Sequence, residues 1–107
     1  IKKKLEQKSR QFVGSPYKNV LIIEMQHYDP ISNYYFECFT QNIVEYDRFA
    51  NELIKGIPKE VAIVVFQWSN INTIKPYRQF IADKETNKIF EIPSASACDL
   101  LEYLEHS

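Results

Sequence analysis

The sequence predicts an α/β fold whose mixed sheet contains a parallel βαβ unit plus a β-hairpin, flanked by N- and C-terminal helices. Two continuous apolar runs, residues 20–23 and 61–66, are typical of strands covered on both faces in a parallel sheet. A helical pattern over residues 43–55 lies between them and supplies the crossover of a βαβ unit. Two further strand-like segments flank a polar turn at residues 84–87, which indicates a hairpin. We therefore expect both apolar strands to lie side by side in the middle of the sheet.

The N-terminal helix is expected over residues 2–13. Its apolar positions, which include Leu5 and Val13, form a modest stripe among lysines. Gly14 suits the C-cap of a helix, and Pro16 cannot continue one because it has no backbone N–H. The helix should therefore end before these two residues.

The central helix, residues 43–55, has signals at both ends. Asn42 and Glu45 have the spacing of a capping box, in which two side chains satisfy backbone N–H groups of the first turn. Gly56 followed by the apolar Ile57 predicts a Schellman-type end. This element has the clearest local signals in the chain.

The C-terminal third should contain the hairpin and a last helix. The hairpin strands are expected at residues 77–83 and 88–92. Ser96 with Asp99 three residues later predicts the start of the helix. Its packing positions are Leu100, Leu101 and Leu104.

The composition is that of one small globular domain. The chain has 107 residues, with 13 basic and 14 acidic side chains and a net charge of -1, so residues 1–107 are expected to form a single α/β domain. With only two glycines, it cannot build a glycine-rich phosphate loop or a dinucleotide fingerprint. No apolar run approaches the roughly 18 residues of a membrane span, and we expect no membrane partner.

The cysteines and histidines do not have the spacing of a zinc site, and we expect no cofactor. Cys38 and Cys98 are far apart in the chain, as are His27 and His106. We expect both cysteines to be small apolar side chains in a reducing, cytoplasmic compartment. Because the chain begins at Ile1 and not at Met, it is expected to be a piece of a longer protein.

The connection over residues 26–41 is unusually long for a βα unit and is expected to hide an extra element or a functional segment. The aromatic run over residues 34–39 is the candidate element, a short strand or a helical turn. Its aromatic side chains fit either a packing role or a binding role, and the sequence leaves both open.

A ligand site is expected where the two parallel strands end, because ligands of open α/β sheets bind beyond the carboxyl ends of the strands. The segments there are polar and rich in amides, and they include one tryptophan that looks exposed. The candidate ligand-binding residues are Glu24, His27, Asp29, Gln67, Trp68 and Asn70. Ordinary loop polarity explains the same residues equally well. No catalytic residue and no metal ligand is assigned, since the pairs Glu24 with Asp29 and His27 with Cys38 lack further partners.

The first helix is strongly basic. Residues 1–18 carry six basic side chains against Glu6 alone, a sum of +5. Such a helix fits either contact with nucleic-acid phosphates or a solvated surface. The candidate nucleic-acid-binding residues are Lys4, Lys8, Arg10 and Gln11.

The helix that carries Lys-Ser-Arg-Gln-Phe at residues 8–12, a short turn and the apolar strand at residues 19–23 together resemble the C-terminal half of a PD-(D/E)XK nuclease-like fold. In that superfamily a helix follows the catalytic strands, and an apolar strand, a second helix and another apolar strand come next. The resemblance covers residues 1–67 and rests on the order of the elements.

This resemblance implies a supporting role for Lys8, Arg10 and Gln11 near nucleic-acid phosphates. The metal-binding acids and the lysine of the family would precede Ile1, so no catalytic residue is carried over. A divalent metal would then bind only with the help of upstream residues, and we expect no catalysis by this chain alone.

Three classes of function stay open at this point. The first is a non-catalytic interaction or regulatory domain, with a protein partner or a homodimer. The second is the C-terminal portion of a nuclease-like protein that contacts DNA through its basic first helix. The third is an enzyme that depends on a metal or a small ligand and uses the loops after the two strands.

Overall fold

A computed structural model of the chain describes residues 2–16, 18–40, 45–69, 76–92 and 102. The helices are α1 (Lys2–Ser9), α2 (Pro30–Thr40) and α3 (Tyr46–Lys55), and a short 3-10 turn (Arg10–Phe12) extends α1. The strands are β1 (Val20–Met25), β2 (Ile63–Ser69), β3 (Pro76–Asp83) and β4 (Lys88–Glu91). No helix in these ranges is long and apolar enough to cross a bilayer.

The four strands form one mixed sheet in the order β1-β2-β3-β4. Strand β1 is parallel to β2, and the other two pairs are antiparallel. The predicted fold class, a βαβ unit plus a hairpin, is therefore confirmed. Asn87 closes the hairpin turn with φ of 57°, a left-handed conformation that asparagine tolerates better than most residues.

The central position predicted for both apolar strands is correct for β2 and wrong for β1. Among the described residues β1 is an edge strand, and its burial alternates along the chain, with Ile22 45% exposed. The apolar run concealed this alternation because an isoleucine fills the exposed position. The nuclease-like resemblance rests on the order of the elements, which the position of β1 in the sheet does not test, and it stays a prediction.

The two faces of the sheet carry separate apolar clusters. On one face, which we call the helix-packed face, side chains such as Ile23, Phe66 and Phe80 pack with residues of all three helices. The other face, which we call the second face, carries a cluster of Ile63, Val65, Ile81 and Ile92. Partly buried side chains of the strands and of the residue before β2 pack against it. The strand β2 contributes fully buried side chains to both clusters, which confirms its predicted coverage on both faces.

Helix α1 ends at Ser9, four residues before the predicted end, and a 3-10 turn covers Arg10–Phe12, so its apolar stripe is shorter than expected. Leu5 is buried, but Val13 is 70% exposed because the chain has left the helix and the 3-10 turn by that point. Gly14 has φ of +82°, which a residue with a Cβ rarely adopts.

Helix α3 ends at Lys55 as predicted and begins three residues later than predicted, since Glu45 has a turn conformation. Asn42, the other half of the expected capping box, lies outside the described residues. Gly56 has φ of -77°, so the predicted left-handed Schellman end is wrong. Ile57 is nevertheless buried against the helix-packed core, as an apolar residue after the glycine should be.

Helix α2 is the extra element hidden in the long connection. Asp29 caps its start, because its carboxylate accepts a hydrogen bond from the backbone N–H of Ile31 at 3.3 Å and one from Ser32 Oγ at 2.9 Å. Pro30 is the first helical residue, a position that proline favours. The last predicted helix, with Ser96, Leu100, Leu101 and Leu104, lies outside the described residues.

Candidate functional site

A row of polar side chains crosses three strands on the second face. The strand register sets Glu24 of β1 beside Gln67 of β2, and Gln67 beside Gln79 of β3. Gln79 Nε2 donates to Gln67 Oε1 at 2.8 Å, and Gln67 Nε2 donates to Glu24 Oε1. Ser69 Oγ also donates to the Glu24 carboxylate, at 3.5 Å. We call these four residues the polar row.

The polar row holds the Glu24 carboxylate over β2. Both amides point their donors toward it, so each amide orients the next, and Gln79 is almost fully buried. The Oε1 atom of Gln79 is buried without a hydrogen-bond partner. Sequence reasoning found Glu24 and Gln67 and missed Gln79. The sequence feature that could have identified Gln79 is a glutamine among apolar residues of a strand-like segment.

Trp68 does not belong to this site, and the prediction that it is exposed is wrong. Adjacent residues of a strand point to opposite faces, so Trp68 lies on the helix-packed face while Gln67 lies on the second face. Its indole is fully buried, with the ring of Phe36 at 5.1 Å and that of Phe80 at 5.7 Å between centroids. Trp68 is therefore a core residue.

The remaining predicted ligand residues lie just beyond β1. His27 is exposed, its Nδ1 is 3.2 Å from Asn33 Oδ1, and its ring meets the edge of Phe36. The carboxylate of Asp29 is used as the helix cap. The structure thus joins Glu24 with Gln67 by a hydrogen bond, whereas His27 and Asp29 make their side-chain hydrogen bonds with residues at the start of α2. Asn70 lies outside the described residues.

A cleft of about 530 Å³ opens between the end of β1 and the start of α2. Its wall on the sheet side is formed by residues 23–26, and its wall on the helix side by residues 28–32. Lys4 of α1 lines the cleft as well, together with Glu24 and Asp29. The volume falls within the range of small-molecule and side-chain pockets.

Apolar side chains are exposed next to this cleft. Tyr28 is 81% exposed, Ile31 54% and Tyr34 59%, and the first two line the cleft. Ile31 and Tyr34 are three residues apart on α2, so they are neighbours on one helix face. We call Tyr28, Ile31 and Tyr34, with the adjoining cleft, the α2 surface.

The other aromatic residues of α2 anchor the helix to the sheet. Tyr35, Phe36 and Phe39 pack against the core of the helix-packed face, and Phe39 stacks on Phe80 with 4.8 Å between centroids. Burial raises the pKa of the Tyr35 hydroxyl above its ordinary value, as expected for a phenol that leaves water. The aromatic run over residues 34–39 is therefore divided: three rings pack inward and Tyr34 is exposed.

The basic residues of the first helix lie on its surface. Lys4, Lys8, Arg10 and Gln11 are all exposed, whereas Leu5 is buried against the core. Of the ion pairs found in the described part of the chain, none involves these basic side chains.

The described residues contain no group of three or more His, Cys, Asp or Glu side chains that could hold a metal ion. Cys38 is a free thiol, buried within α2, and Cys98 lies outside the described residues. The arrangement around the end of β1 can bind a partner by apolar contact and hydrogen bonding. The chain matches no protein-family model, no curated protein and no solved structure.

Proposed function

We propose that this chain is a protein-interaction domain that binds a partner's peptide segment at the α2 surface. One observation carries the proposal. Of the five large apolar side chains that are exposed in the described part of the chain, three belong to the seven residues from Tyr28 to Tyr34. Clustered apolar exposure beside a concave site is typical of surfaces that a partner covers.

The α2 surface also has a rigid base. The Asp29 cap fixes the first turn of α2, and the inward rings of Phe36 and Phe39 attach the helix to the sheet. A surface held in this way loses little conformational entropy on binding, which favours affinity. The exposed tyrosines suit the role because they combine apolar area with a hydroxyl that can form hydrogen bonds.

A library of random peptides displayed on phage, selected on the immobilised full chain, tests this proposal. We expect enriched peptides that bind the chain with micromolar affinity in fluorescence anisotropy. The double variant Ile31→Ser/Tyr34→Ser should weaken this binding at least about tenfold, because it removes two adjacent apolar contacts of the kind that dominate interfaces.

Val13→Ser is the matched control, since Val13 is also an exposed apolar residue and lies outside the α2 surface. It should leave the affinity unchanged. Failure to enrich any peptide, or peptides that bind the double variant as tightly as the wild type, would contradict the proposal.

Contact with nucleic acid through α1 is the second candidate, favoured by the exposure of Lys4, Lys8 and Arg10 on one short segment. This candidate predicts binding to duplex DNA at low salt that weakens steeply as salt is raised. Lys4→Ala, Lys8→Ala and Arg10→Ala should each reduce the affinity about equally for unrelated sequences, measured by anisotropy with labelled duplexes. Binding that persists unchanged in the triple variant would exclude α1 as the contact.

A further inference from the structure

We infer that β1 pairs with β1 of a second copy of this chain, antiparallel and across a two-fold axis normal to the sheet. The pairing would join two four-stranded sheets into one continuous sheet. The inference goes beyond the proposed function, because it concerns the backbone edge of β1, although the end of β1 also lines the cleft of the α2 surface.

In the part of the chain that the structure describes, the edge of β1 carries no bulge, proline or lysine, three features that prevent strand addition. Its register with β2 runs without a shift from Val20 to Met25, so no bulge twists it away. The strand contains no proline and no lysine. Ile22 is 45% exposed there, an apolar side chain where edge strands usually carry a charge.

The one charged residue of β1 is turned away from the edge. The carboxylate of Glu24 accepts hydrogen bonds from Gln67 and Ser69, both on β2, and Gln79 orients Gln67 from β3. The polar row therefore draws the negative charge over the sheet. A strand approaching β1 from outside would not have to pass this carboxylate.

The backbone hydrogen bonds determine which groups of β1 face outward. The N–H of Ile63 donates to the carbonyl oxygen of Asn19 at 3.4 Å. In a parallel pair, residues that bond the neighbouring strand alternate with residues whose N–H and C=O point away from it. The outward groups of β1 are therefore those of Val20, Ile22 and Glu24.

One antiparallel register uses all three outward residues. It sets Ile22 opposite Ile22 of the second copy and Val20 opposite Glu24, so that each facing pair exchanges two backbone hydrogen bonds. The axis then passes midway between the two Ile22 residues. The two sheets keep matching faces, because a two-fold axis normal to the sheet leaves each face on its own side.

This register makes the second copy a suitable occupant of the edge. The exposed isoleucine meets an isoleucine, and Glu24 faces Val20, so that no two carboxylates stand directly opposite, a pairing that would be destabilising. A net charge of -1 per chain gives two copies little overall repulsion. The strand is thus self-complementary in hydrogen bonding and in apolar contact, and the register brings no like charges together.

Sedimentation equilibrium of the wild-type chain between 1 and 200 µM, concentrations chosen to span roughly micromolar to submillimolar dissociation constants, tests the inference. We expect a reversible dimer. Ile22→Lys places two ammonium groups against each other on the axis and should convert the dimer to monomer. Val13→Lys adds the same charge at an exposed site outside the interface and should leave the dimer intact. A monomeric wild type at the highest concentration would overturn the inference, as would an Ile22→Lys variant that still dimerises.

Disulfide trapping tests the register itself. Facing Cα atoms of a hydrogen-bonded antiparallel pair are about 5.5 Å apart, within reach of a disulfide. Ile22→Cys should therefore form a covalent dimer under mild oxidation, well above the level in the wild type with its native cysteines. Val20→Cys should not, since the two copies of residue 20 would be roughly 13 Å apart. Efficient trapping at residue 20 and not at residue 22 would overturn the register.

The two experiments on this edge are independent of peptide selection on the α2 surface. A chain that selects peptides but stays monomeric retains the proposed function and loses this inference. A dimer that selects no peptide does the reverse.

Discussion

The two edges of the sheet are built differently. Strand β4 has four residues, with exposed Lys88 and Glu91 at its ends, and Glu91 is held in a two-bond ion pair with Arg78 of β3. Strand β1 has six residues, and its one acidic residue is drawn toward β2 by the polar row.

This difference does not come from the glutamates. Both edges carry a glutamate bound by side chains of the neighbouring strand. In β4 a second charge, Lys88, stands at the other end of a strand that is also short, whereas β1 presents Ile22 in the middle of a longer one. The two edges therefore differ in strand length and in the placement of apolar side chains, the two features on which the proposed pairing of β1 depends.

The largest expected effect is on stability, and it should differ between two neighbouring isoleucines of β1. Ile23→Ala should lower the free energy of unfolding by about 3 kcal/mol, because Ile23 is 1% exposed and its loss leaves a cavity. Ile22→Ala should cost less than about 1 kcal/mol, because Ile22 is half exposed. Urea denaturation of both variants at one protein concentration measures the difference. Equal costs would mean that β1 is covered on both faces.

A smaller effect, on the affinity of the proposed dimer, should follow when the Glu24 carboxylate loses its hydrogen bond with Gln67. Gln67→Leu removes the amide that holds it, so the charge can move to the edge and weaken pairing of β1 with a second copy. We expect the dissociation constant from sedimentation equilibrium to rise about tenfold, equivalent to roughly 1.4 kcal/mol. Glu24→Gln in the same background removes the charge and should restore the affinity. If the double variant stays as weak as Gln67→Leu, the polar row acts in some other way.

The smallest expected effect is on stability at the β4 edge. Arg78 and Glu91 are partly exposed, and their ion pair should contribute a coupling energy of about 0.5–1 kcal/mol in a double-mutant cycle with alanine. Thermal denaturation of the two single variants and the double variant measures it. None of the three should change the oligomeric state, and a change in it would show that β4 also takes part in association.

Much of the fold could be predicted because the relevant signals are local. The helical spacing after Glu45, the glycine at residue 14 and the polar turn before Lys88 each act on their own neighbourhood. An extra element was predicted in the long connection, but its type was left open between a short strand and a helical turn, although Asp29 followed by Pro30 is a standard capping pattern. The aromatic residues fit either type, and α2 packs several of them against the sheet.

The candidate site was only partly predictable. The meeting of Glu24 and Gln67 followed from two parallel strands ending together. The burial of Trp68 did not, because the face on which a strand residue lies depends on the register and on which helix covers that face.

By itself the sequence determined most of the elements and their order, since helical and strand-like patterns and their caps depend on residues that are close together in the chain. Only the tertiary structure decided that β1 lies at an edge of the described sheet, that Gln79 completes the polar row and that Ile22 is exposed. The physical reason is that strand order and facing arise from hydrogen bonds between distant segments. An apolar run has the same sequence pattern whether both of its faces are covered or one of them is exposed.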